Sequence, residues 1–463
     1  MGSFVVSKFG GTSMGSASAM AASAEIVSAD PRVRFVLVSA TSGTTHQLLK
    51  IHELRRGGSV SECQQFAEEI EEKHREIAVE LGCSEKAMET LKAFLLELKA
   101  PLICSDSNQS LDHLLSVGER MSSLLFTEAL RKKSGSKITW IDARKFLITD
   151  DRFGKAEPDI TLTRANCDPL RDRLDLVRDA APEVFVSQGF IGASSQGATT
   201  TLGRGGSDYS AALFAEALSA DGVEIWTDVP GILTMDPRVV LNARIIDEMS
   251  FAEAAEMANF GAKVLHPATL APVMRANIPV WVKSTFRPDL PGTRISPQVE
   301  SGAPLIRAIA VRKRQTLITV SSLRMLNAHG FLAKIFEVLA RYHLSVDLVT
   351  TSEVSVALTI DEDAMGSAGK SVKESTEMLA ELRSFAEVRL EEDLSLIAVI
   401  GNGLNSAPGV AAEIFHAIRS QNVRLICHGA SEHNICFLVA SEDALTIARQ
   451  LHEVCIEKPR VDG

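Results

Sequence analysis

Two glycine-rich segments of this 463-residue chain contain the side chains best suited to bind an anion. The segment 203–208 (GRGGSD) has three glycines in four positions and opens an Ala-rich stretch, 207–218, that is predicted to be a helix. Glycines let the backbone approach a ligand, and the first turn of a helix presents N–H groups to an anion. Arg204 and the pair Ser207 and Asp208 stand at this helix start. The segment is therefore predicted to bind a phosphate or a carboxylate.

The second segment, 8–13 (KFGGTS), directly follows the first predicted strand. The Lys8 ammonium could reach phosphates held by the amides of Gly10 and Gly11. The segment matches neither the G-x-x-x-x-G-K-[ST] loop nor the G-x-G-x-x-G pattern. With Lys263 in a Gly-Ala-Lys sequence, the two segments predict a nucleoside triphosphate clamped by lysines. Phosphoryl transfer fits this set, since it needs positioning and charge neutralisation more than covalent chemistry.

Asp208 and Asp228 are the acidic candidates for this site, because each follows an apolar or glycine-rich stretch. The alternative for both is a carboxylate in a solvated loop.

The elements that must position these residues have an α/β pattern. Short β-branched strands are predicted at 4–6, 35–39, 139–141, 184–186, 223–226 and 280–282. Amphipathic or Ala-rich helices are predicted at 61–81, 207–218 and 251–259, and Ser59 followed by Glu62 resembles a capping box before the first. Apolar strands separated by helices indicate a largely parallel sheet with helices on both faces.

An internal repeat occupies the C-terminal third of the chain. Residues 316–360 align without a gap onto 395–439, with a constant offset of 79 residues and ten identities in 45 positions. Chance would give roughly three identities, so the repeat is real. Each copy is predicted to run strand, glycine-containing loop, amphipathic helix, strand, turn, strand. Residues 361–373 are predicted to be a loop, and 374–383 a further helix of the first copy.

Composition excludes several classes of protein. The net charge is −11, from 59 acidic and 48 basic residues, and aromatic residues make up 5%. Neither value suits a general nucleic-acid binder. No apolar run approaches the roughly 20 residues of a membrane helix, and the N-terminus has no signal-peptide pattern. The seven scattered cysteines have no C-x-x-C spacing, which favours buried free thiols over disulfides or a zinc site. These features indicate a cytoplasmic, multidomain enzyme.

Eight motifs in chain order carry a specific resemblance. They are KFGGTS (8–13), VSATSGTT (38–45), GER (118–120), DDRFGKAEPD (150–159), TTLGRGGSD (200–208), WTDVPGI (226–232), MDPR (235–238) and FGAKVLHPA (260–268). Together they resemble aspartate kinases of the amino-acid-kinase family. The resemblance to the monofunctional, lysine-sensitive class continues through the repeat, which resembles tandem ACT domains.

The resemblance implies a fold and a domain organisation. The expected fold is α/β, a three-layer amino-acid-kinase sandwich with a mainly parallel sheet, followed by two ferredoxin-like ACT domains. The catalytic domain would span 1–300 and the first ACT domain 316–391. The second ACT domain would be discontinuous, formed by 301–315 with 392–463.

The resemblance also assigns residues to a reaction, the transfer of the ATP γ-phosphoryl group to the β-carboxylate of L-aspartate. The catalytic residues would be Lys8, Asp208 and Lys263, with Mg²⁺ bridging the phosphates and no protein metal ligand assigned. ATP would be bound by Lys8, Gly10, Gly11, Ser13, Thr227, Asp228, Leu233, Arg238 and Lys263. Aspartate would be bound by Ser39, Thr45, Glu119, Arg204 and Ser207. A carboxylate at Glu119 is a natural partner for the substrate ammonium group.

Two positions depart from the lysine-sensitive pattern. Ala198 stands where relatives often have an arginine that grips the substrate carboxylate, and Leu233 stands where a tyrosine is expected near the nucleotide. Carboxylate binding is therefore expected to rest on Arg204, Arg152 or backbone amides.

The first repeat matches the lysine pocket of this class at Met325, Phe331, Leu332, Ser345, Val346, Asp347, Ser352 and Glu353. Asp347 would face the cationic side chain, and the second repeat has Ile426 in its place. The alternative for Asp347 is a surface carboxylate. The expected regulation is feedback inhibition by L-lysine in a homodimer or tetramer, with threonine sensitivity as the competing outcome.

Three other functions are alternatives to this assignment. Another kinase of the same fold, such as glutamate 5-kinase, leaves the repeat and the GER motif unexplained. A fusion to homoserine dehydrogenase would need a further domain after the repeat. A catalytically inactive amino-acid sensor is the alternative from a different class, and the presence of Lys8, Asp208 and Lys263 argues against it.

Overall fold

The structure is a computed structural model that describes residues 4–99, 107–176, 183–261, 265–299, 304–326, 329–361, 372 and 375–458. The chain divides into two compact units. The first unit comprises 1–232, 245–251 and 263–299, and the second comprises 233–244, 252–262 and 300–463.

The first unit contains an eight-stranded sheet and a three-stranded sheet. Its strands are β1 (Val5–Phe9), β2 (Val33–Val38), β3 (Lys137–Trp140), β4 (Ile148–Thr149), β5 (Glu183–Gln188), β6 (Ile191–Ser194), β7 (Thr199–Thr201), β8 (Gly222–Thr227), β9 (Glu248–Ser250), β10 (Val280–Ser284) and β11 (Thr293–Ser296). The large sheet has the order β3-β5-β2-β1-β8-β10-β11-β9, and the small sheet has the order β4-β6-β7. Neighbours in the large sheet are parallel except β10 and β11. All six predicted strands overlap strands of this sheet.

Helices lie on both faces of the large sheet. The helices of the first unit are α1 (Ala17–Ala29), α2 (Thr44–Arg56), α3 (Val60–Glu80), α4 (Glu85–Leu98), α5 (Asn108–Lys133), α6 (Ile160–Leu176), α7 (Gly206–Leu218) and α9 (Pro267–Ala276). Helix α8 (Phe251–Asn259) belongs to the second unit except for Phe251. Val5 and Phe9 of β1 share one apolar core with residues of α1 to α5. Phe35 of β2 instead packs against Phe214 of α7, with ring centroids 4.9 Å apart. Because successive side chains of a strand point to opposite faces, these contacts define three layers, as expected.

The start of α3 corrects one prediction. Ser59 is the N-cap residue, but its side chain accepts no capping hydrogen bond, so the capping box with Glu62 does not form. The backbone of Ser59 has φ −84° and ψ 73°. An N-cap whose hydroxyl accepts from the first turn is usually extended, so this conformation explains the missing bond.

The second unit contains one six-stranded antiparallel sheet. Its strands are β12 (Ile306–Ser321), β13 (Val349–Thr351), β14 (Ser355–Asp361), β15 (Glu387–Gly401), β16 (Val423–His428) and β17 (Asn434–Ala440), in the order β13-β14-β12-β15-β17-β16. Its other helices are α10 (Phe331–Arg341), α11 (Thr376–Arg383), α12 (Val410–Ala417) and α13 (Ser441–His452), followed by a π-helical turn, Glu453–Glu457. Each repeat therefore runs strand, helix, strand, strand, helix, as two separate apolar cores also indicate.

Some predictions fall partly outside the described residues. The loop predicted at 361–373 does so for nearly its whole length, and the helix after it is α11. Cys63, Cys167 and Cys436 are buried free thiols, whereas Cys83, Cys427 and Cys455 are half-buried. Cys104 lies outside the described residues. Within the described part of the chain, no helix combines the length and the apolar character needed to span a membrane.

Candidate active site

An ion pair joins the two glycine-rich segments. Lys8 lies near the carboxyl end of β1 on the face that α7 covers, and Asp208 lies in the first turn of α7. The distance between Lys8 Nζ and Asp208 Oδ1 is 2.6 Å, and the two side chains are 10% and 16% exposed. Because both side chains are largely shielded from water, this ion pair is stronger than a salt bridge at the protein surface. Asp208 therefore fixes the position of the Lys8 ammonium at the carboxyl end of the central strand β1.

The segment 203–208 turns sharply into α7. Gly205 is the N-cap residue, with a φ of +75° that L side chains rarely adopt. A Cβ on Gly205 would lie 2.3 Å from the Cβ of His266, so only glycine fits there. Ser207 packs against Gly189, and the Arg204 side chain is exposed. The helix start thus faces solvent with N–H groups and a cation at hand, an arrangement that suits an anionic ligand.

The segment 8–13 is anchored by its own polar groups. The N–H of Gly10 donates to the carbonyl oxygen of Trp226, at 3.1 Å. The buried hydroxyls of Ser13 and Thr285 lie 2.7 Å apart. These bonds tie the loop after β1 to the adjacent strand β8 and to Thr285, which directly follows β10, and so fix the loop beside Lys8.

Glu119 is a buried carboxylate with one unsatisfied oxygen. The residue is 4% exposed, and its Oε2 has no hydrogen-bond partner among the residues that the structure describes. Burial raises the pKa of Glu119 to about 8, although Lys8 and the N–H of Ala40 act in the opposite direction. A buried carboxyl group with one unsatisfied oxygen is suited to receive a cationic group of a ligand.

Gly118 lets α5 bring Glu119 to that position. A Cβ on Gly118 would lie 3.1 to 3.2 Å from side-chain carbons of Leu48 and Thr44 in α2. The missing side chain therefore allows α2 and α5 to approach closely. Ser39 and Thr45, at the two ends of the connection between β2 and α2, are half-buried.

Asp112 is a functional candidate that the sequence reasoning missed. This fully buried carboxylate accepts hydrogen bonds from the N–H groups of Gly154 and Thr201, at 2.9 and 2.8 Å, and from the Thr201 hydroxyl, at 2.8 Å. Burial raises the pKa of Asp112, although these hydrogen bonds act in the opposite direction. Asp112 thereby joins the loop 150–159 to β7, which leads into the glycine segment. The available signal was its spacing of seven residues from Glu119, which places both on one helix face.

Charged side chains of the loop 150–159 form ion pairs with one another. The Arg152 guanidinium pairs with Asp150 and Glu157, at 2.5 and 2.9 Å, and its side chain is 63% exposed. Arg152 therefore stabilises the loop that Asp112 holds.

The residues predicted to bind the nucleotide lie in different places. Thr227 and Asp228 end β8, where the Thr227 hydroxyl donates to Asp228 Oδ1 at 3.1 Å. Leu233 and Arg238 belong to the second unit. There the exposed Arg238 pairs with Asp236 at 2.6 Å. Lys263 lies outside the described residues. Within the described residues, the structure thus brings together Lys8, Asp208, Glu119 and the loops around them.

Asp347, an acidic residue among the regulatory candidates, lies in the second unit. The side chain of Asp347 is 22% exposed and lies 3.2 Å from the Arg312 guanidinium, which also binds Asp361. Burial and Asp361 raise the pKa of Asp347, and Arg312 opposes them. Asp347 is therefore paired with a cation, rather than being an isolated surface carboxylate.

The other predicted lysine-pocket residues differ in exposure. Met325, Phe331 and Val346 pack at the margin of the first repeat's core. Leu332, Ser345, Ser352 and Glu353 are exposed.

Comparison with known proteins agrees with these observations. The model of the amino acid kinase family matches residues 3–284, and an ACT domain model matches 318–375 and 397–454. The chain is 47% identical over 458 residues to lysine-sensitive aspartokinase 3 of Escherichia coli, covering 99% of this chain and 100% of that protein. It is 36% identical to the chloroplastic aspartokinase 2 of Arabidopsis thaliana, covering 98% of this chain and 84% of that protein.

Solved structures give the same result. The structure of E. coli aspartokinase III in complex with aspartate and ADP (R-state) matches with a TM-score of 0.84 and 46% identity, over 98% of this chain and 100% of that one. The complex of the same enzyme with lysine and aspartate (T-state) matches with a TM-score of 0.80 and 45% identity, over 98% and 99% of the two chains. This chain belongs to the aspartokinases of the amino acid kinase family.

Proposed function

We propose that this protein is an ATP-dependent aspartate kinase inhibited by L-lysine, which converts L-aspartate to 4-phospho-L-aspartate at the start of lysine, threonine and methionine synthesis. The observation that carries the proposal is the Lys8–Asp208 ion pair with the buried Glu119 beside it. Oε2 of Glu119 has no hydrogen-bond partner within the described part of the chain. This arrangement offers a fixed cation to transferring phosphates and a carboxylate to a substrate ammonium group. The E. coli relative has been solved with aspartate and ADP, and with lysine and aspartate.

Each side chain of the site has a proposed task. Lys8 and Lys263 neutralise the phosphates, and Asp208 holds Lys8 in place. Gly10, Gly11, Ser13, Thr227, Asp228, Leu233 and Arg238 complete the ATP site. Glu119 binds the ammonium group of aspartate, and Ser39, Thr45, Arg204 and Ser207 hold the rest of that substrate. The short distance from Lys8 to Asp208 supports the first two tasks.

Mg²⁺ is proposed to enter with ATP. The described residues contain no group of three or more His, Cys, Asp or Glu side chains arranged to hold a metal ion. Mg²⁺ usually keeps several waters and is held by substrate phosphates together with one or two carboxylates. The ion would neutralise phosphate charge, and no side chain is assigned as its ligand.

Lysine inhibition is proposed to act through Asp347 and the neighbouring residues of the first repeat. Two carboxylates, Asp347 and Asp361, face the Arg312 guanidinium, and this acidic pair supports a site that accepts a cation. The ACT domain boundaries proposed above, 316–391 and 301–315 with 392–463, are supported by β12 and β15. Residues 315–321 of β12 pair with β14 of the first copy, and residues 394–400 of β15 pair with β17 of the second copy. The other part of β12, 306–312, pairs with residues 396–401 of β15, which supports assigning it to the second ACT domain. A homodimer or tetramer in the cytoplasm completes the proposal.

A hydroxylamine-trapping assay tests the activity. Acyl phosphates react with hydroxylamine, so incubation with ATP, Mg²⁺ and aspartate should give aspartyl hydroxamate and an equal amount of ADP. Parallel reactions with glutamate and carbamate separate the related kinases, and Asp208→Asn provides the matched control for background ATP hydrolysis. Absence of aspartyl hydroxamate at saturating substrate without lysine would refute the kinase, and lysine binding by calorimetry in that protein would favour the sensor.

A further inference from the structure

Three buried polar side chains connect α3 to the segment between β2 and α2. His74 of α3 and Thr44 at the start of α2 are fully buried, and Thr41 is 1% exposed. His74 Nε2 lies 3.2 Å from Thr41 Oγ1, and Thr41 Oγ1 lies 2.6 Å from Thr44 Oγ1. His74 Nδ1 lies 2.6 Å from the carbonyl oxygen of Ile70. These groups form one continuous chain of hydrogen bonds in the protein interior.

The direction of every bond in this chain is determined. A carbonyl oxygen only accepts, so His74 Nδ1 carries a proton and donates it to Ile70. Burial lowers the pKa of His74 to about 4, so the ring is neutral near pH 7 and Nε2 is an acceptor. Thr41 therefore donates to His74, and the Thr44 hydroxyl donates to Thr41.

The segment that His74 holds is the one that contacts the proposed amino-acid site. The Ala40 N–H of this segment lies close enough to Glu119 to lower the pKa of its carboxyl group, Ser39 begins the segment, and Thr45 follows it in the first turn of α2. The neighbouring residue of α3, Lys73, donates to the carbonyl oxygen of Ser42. Two consecutive residues of α3 thus fix consecutive residues of the segment.

We propose that His74 is a positioning residue for the amino-acid substrate, acting through Thr41 to fix the backbone that holds Glu119 and Thr45. The inference rests on the proposed function, since it assigns His74 to the aspartate side of that site. Loss of the His74–Thr41 bond lets the segment shift relative to Glu119. The consequence is weaker binding of aspartate, while ATP binding and the phosphoryl-transfer geometry at Lys8 and Asp208 persist.

Two isosteric variants separate the two ring nitrogens. His74→Asn keeps a donor near the Nδ1 position for Ile70 and leaves nothing to accept from Thr41. His74→Gln places an amide oxygen near the Nε2 position, where it can accept from Thr41. Thr41→Val removes the hydroxyl from the other side. Steady-state kinetics with aspartate and with ATP varied separately, and thermal denaturation of each variant, complete the experiment.

The expected result is a KM for aspartate raised about five- to tenfold in His74→Asn and in Thr41→Val, the effect of one lost buried hydrogen bond. The KM for ATP and kcat stay near wild type, and His74→Gln restores the KM for aspartate. The double variant His74→Asn/Thr41→Val is no worse than either single variant, since both remove the same bond. An unchanged KM for aspartate in His74→Asn, parallel changes in both KM values, or additive effects would overturn the proposal. Failure of the proposed function is distinct, because the wild type would then form no aspartyl phosphate.

Discussion

Replacing Glu119 with glutamine tests whether this buried carboxyl group is protonated until the substrate arrives. Glutamine keeps the shape and can accept from the Ala40 N–H, but it cannot ionise. Burial raises the pKa of Glu119 from an ordinary 4.5 to about 8. A group whose pKa is raised in the folded state contributes stability below its unfolded pKa, and this contribution is lost as the pH rises through the folded pKa. The wild type should therefore lose stability between about pH 4.5 and pH 8 through this one group.

The size of the effect follows from the two values. A difference between a pKa of 4.5 and one of about 8, at about 1.36 kcal/mol for each pH unit, corresponds to at most about 5 kcal/mol of unfolding free energy. Relaxation around a buried charge reduces this figure, so a difference of ~2–4 kcal/mol is expected above pH 8. Glu119→Gln should be more stable than the wild type by this amount in alkaline solution, and nearly equal to it below about pH 5.

The assay is denaturant unfolding of both proteins, without ligands, at a series of pH values from about 5 to about 9. Other titrating groups are common to both proteins, so the difference in unfolding free energy isolates Glu119. Calorimetry of aspartate binding near pH 7, in buffers of different ionisation enthalpy, adds a second readout. The wild type should release close to one proton and the variant none, because Glu119 must ionise to pair with an ammonium group. A stability difference that does not change with pH would refute the reasoning.

Three further predictions concern other carboxylates. Asp208→Asn should lower kcat by about 10²- to 10³-fold with an unchanged circular dichroism spectrum, since Lys8 loses the partner that positions it; a near-normal kcat would contradict this role. Asp112→Asn should lower the unfolding free energy by about 1–3 kcal/mol, because an amide N–H₂ then faces N–H donors, and an unchanged denaturation midpoint would argue against the contact. Asp347→Ala should raise the lysine concentration that gives half-inhibition about tenfold or more, while kcat measured without lysine stays unchanged. The exposed control variant Glu377→Ala should change neither that concentration nor kcat. Retained inhibition in Asp347→Ala would exclude the assignment.

The sequence was most informative where a local pattern repeats or alternates. The six predicted strands are short β-branched runs bounded by small or polar residues, and each overlaps a strand of the large sheet. The offset of 79 residues between the two copies reappears in the two ACT domain matches, which begin at 318 and 397. Patterns of this kind depend on the period of the backbone, so they survive without any knowledge of tertiary contacts.

Helix α5 shows why other elements were missed. It runs for 26 residues and supplies Asp112, Glu119 and Gly118, yet 19 of its residues are buried. A helix buried on nearly every side has no continuous polar face, so the division into a polar and an apolar side that marks a surface helix is missing. Helix α3 was found from its charged, amphipathic pattern, but the same pattern gave no sign that His74 on its buried face binds Thr41. Such a role depends on a contact between residues 33 positions apart, which no local pattern reports.

The arrangement of charge around Lys8 explains why a buried glutamate is useful there. Two carboxyl groups interact with the Lys8 ammonium, Asp208 by a direct ion pair and Glu119 through space. If both were ionised, the site would carry a net negative charge and would repel the phosphates of ATP. A pKa of about 8 keeps Glu119 mostly neutral near pH 7, so that Lys8 is balanced by Asp208 alone. Glu119 then ionises only when the ammonium group of the amino acid enters and compensates its charge. The site can thus bind an ammonium group without becoming more negative towards the nucleotide, in a chain whose net charge is −11.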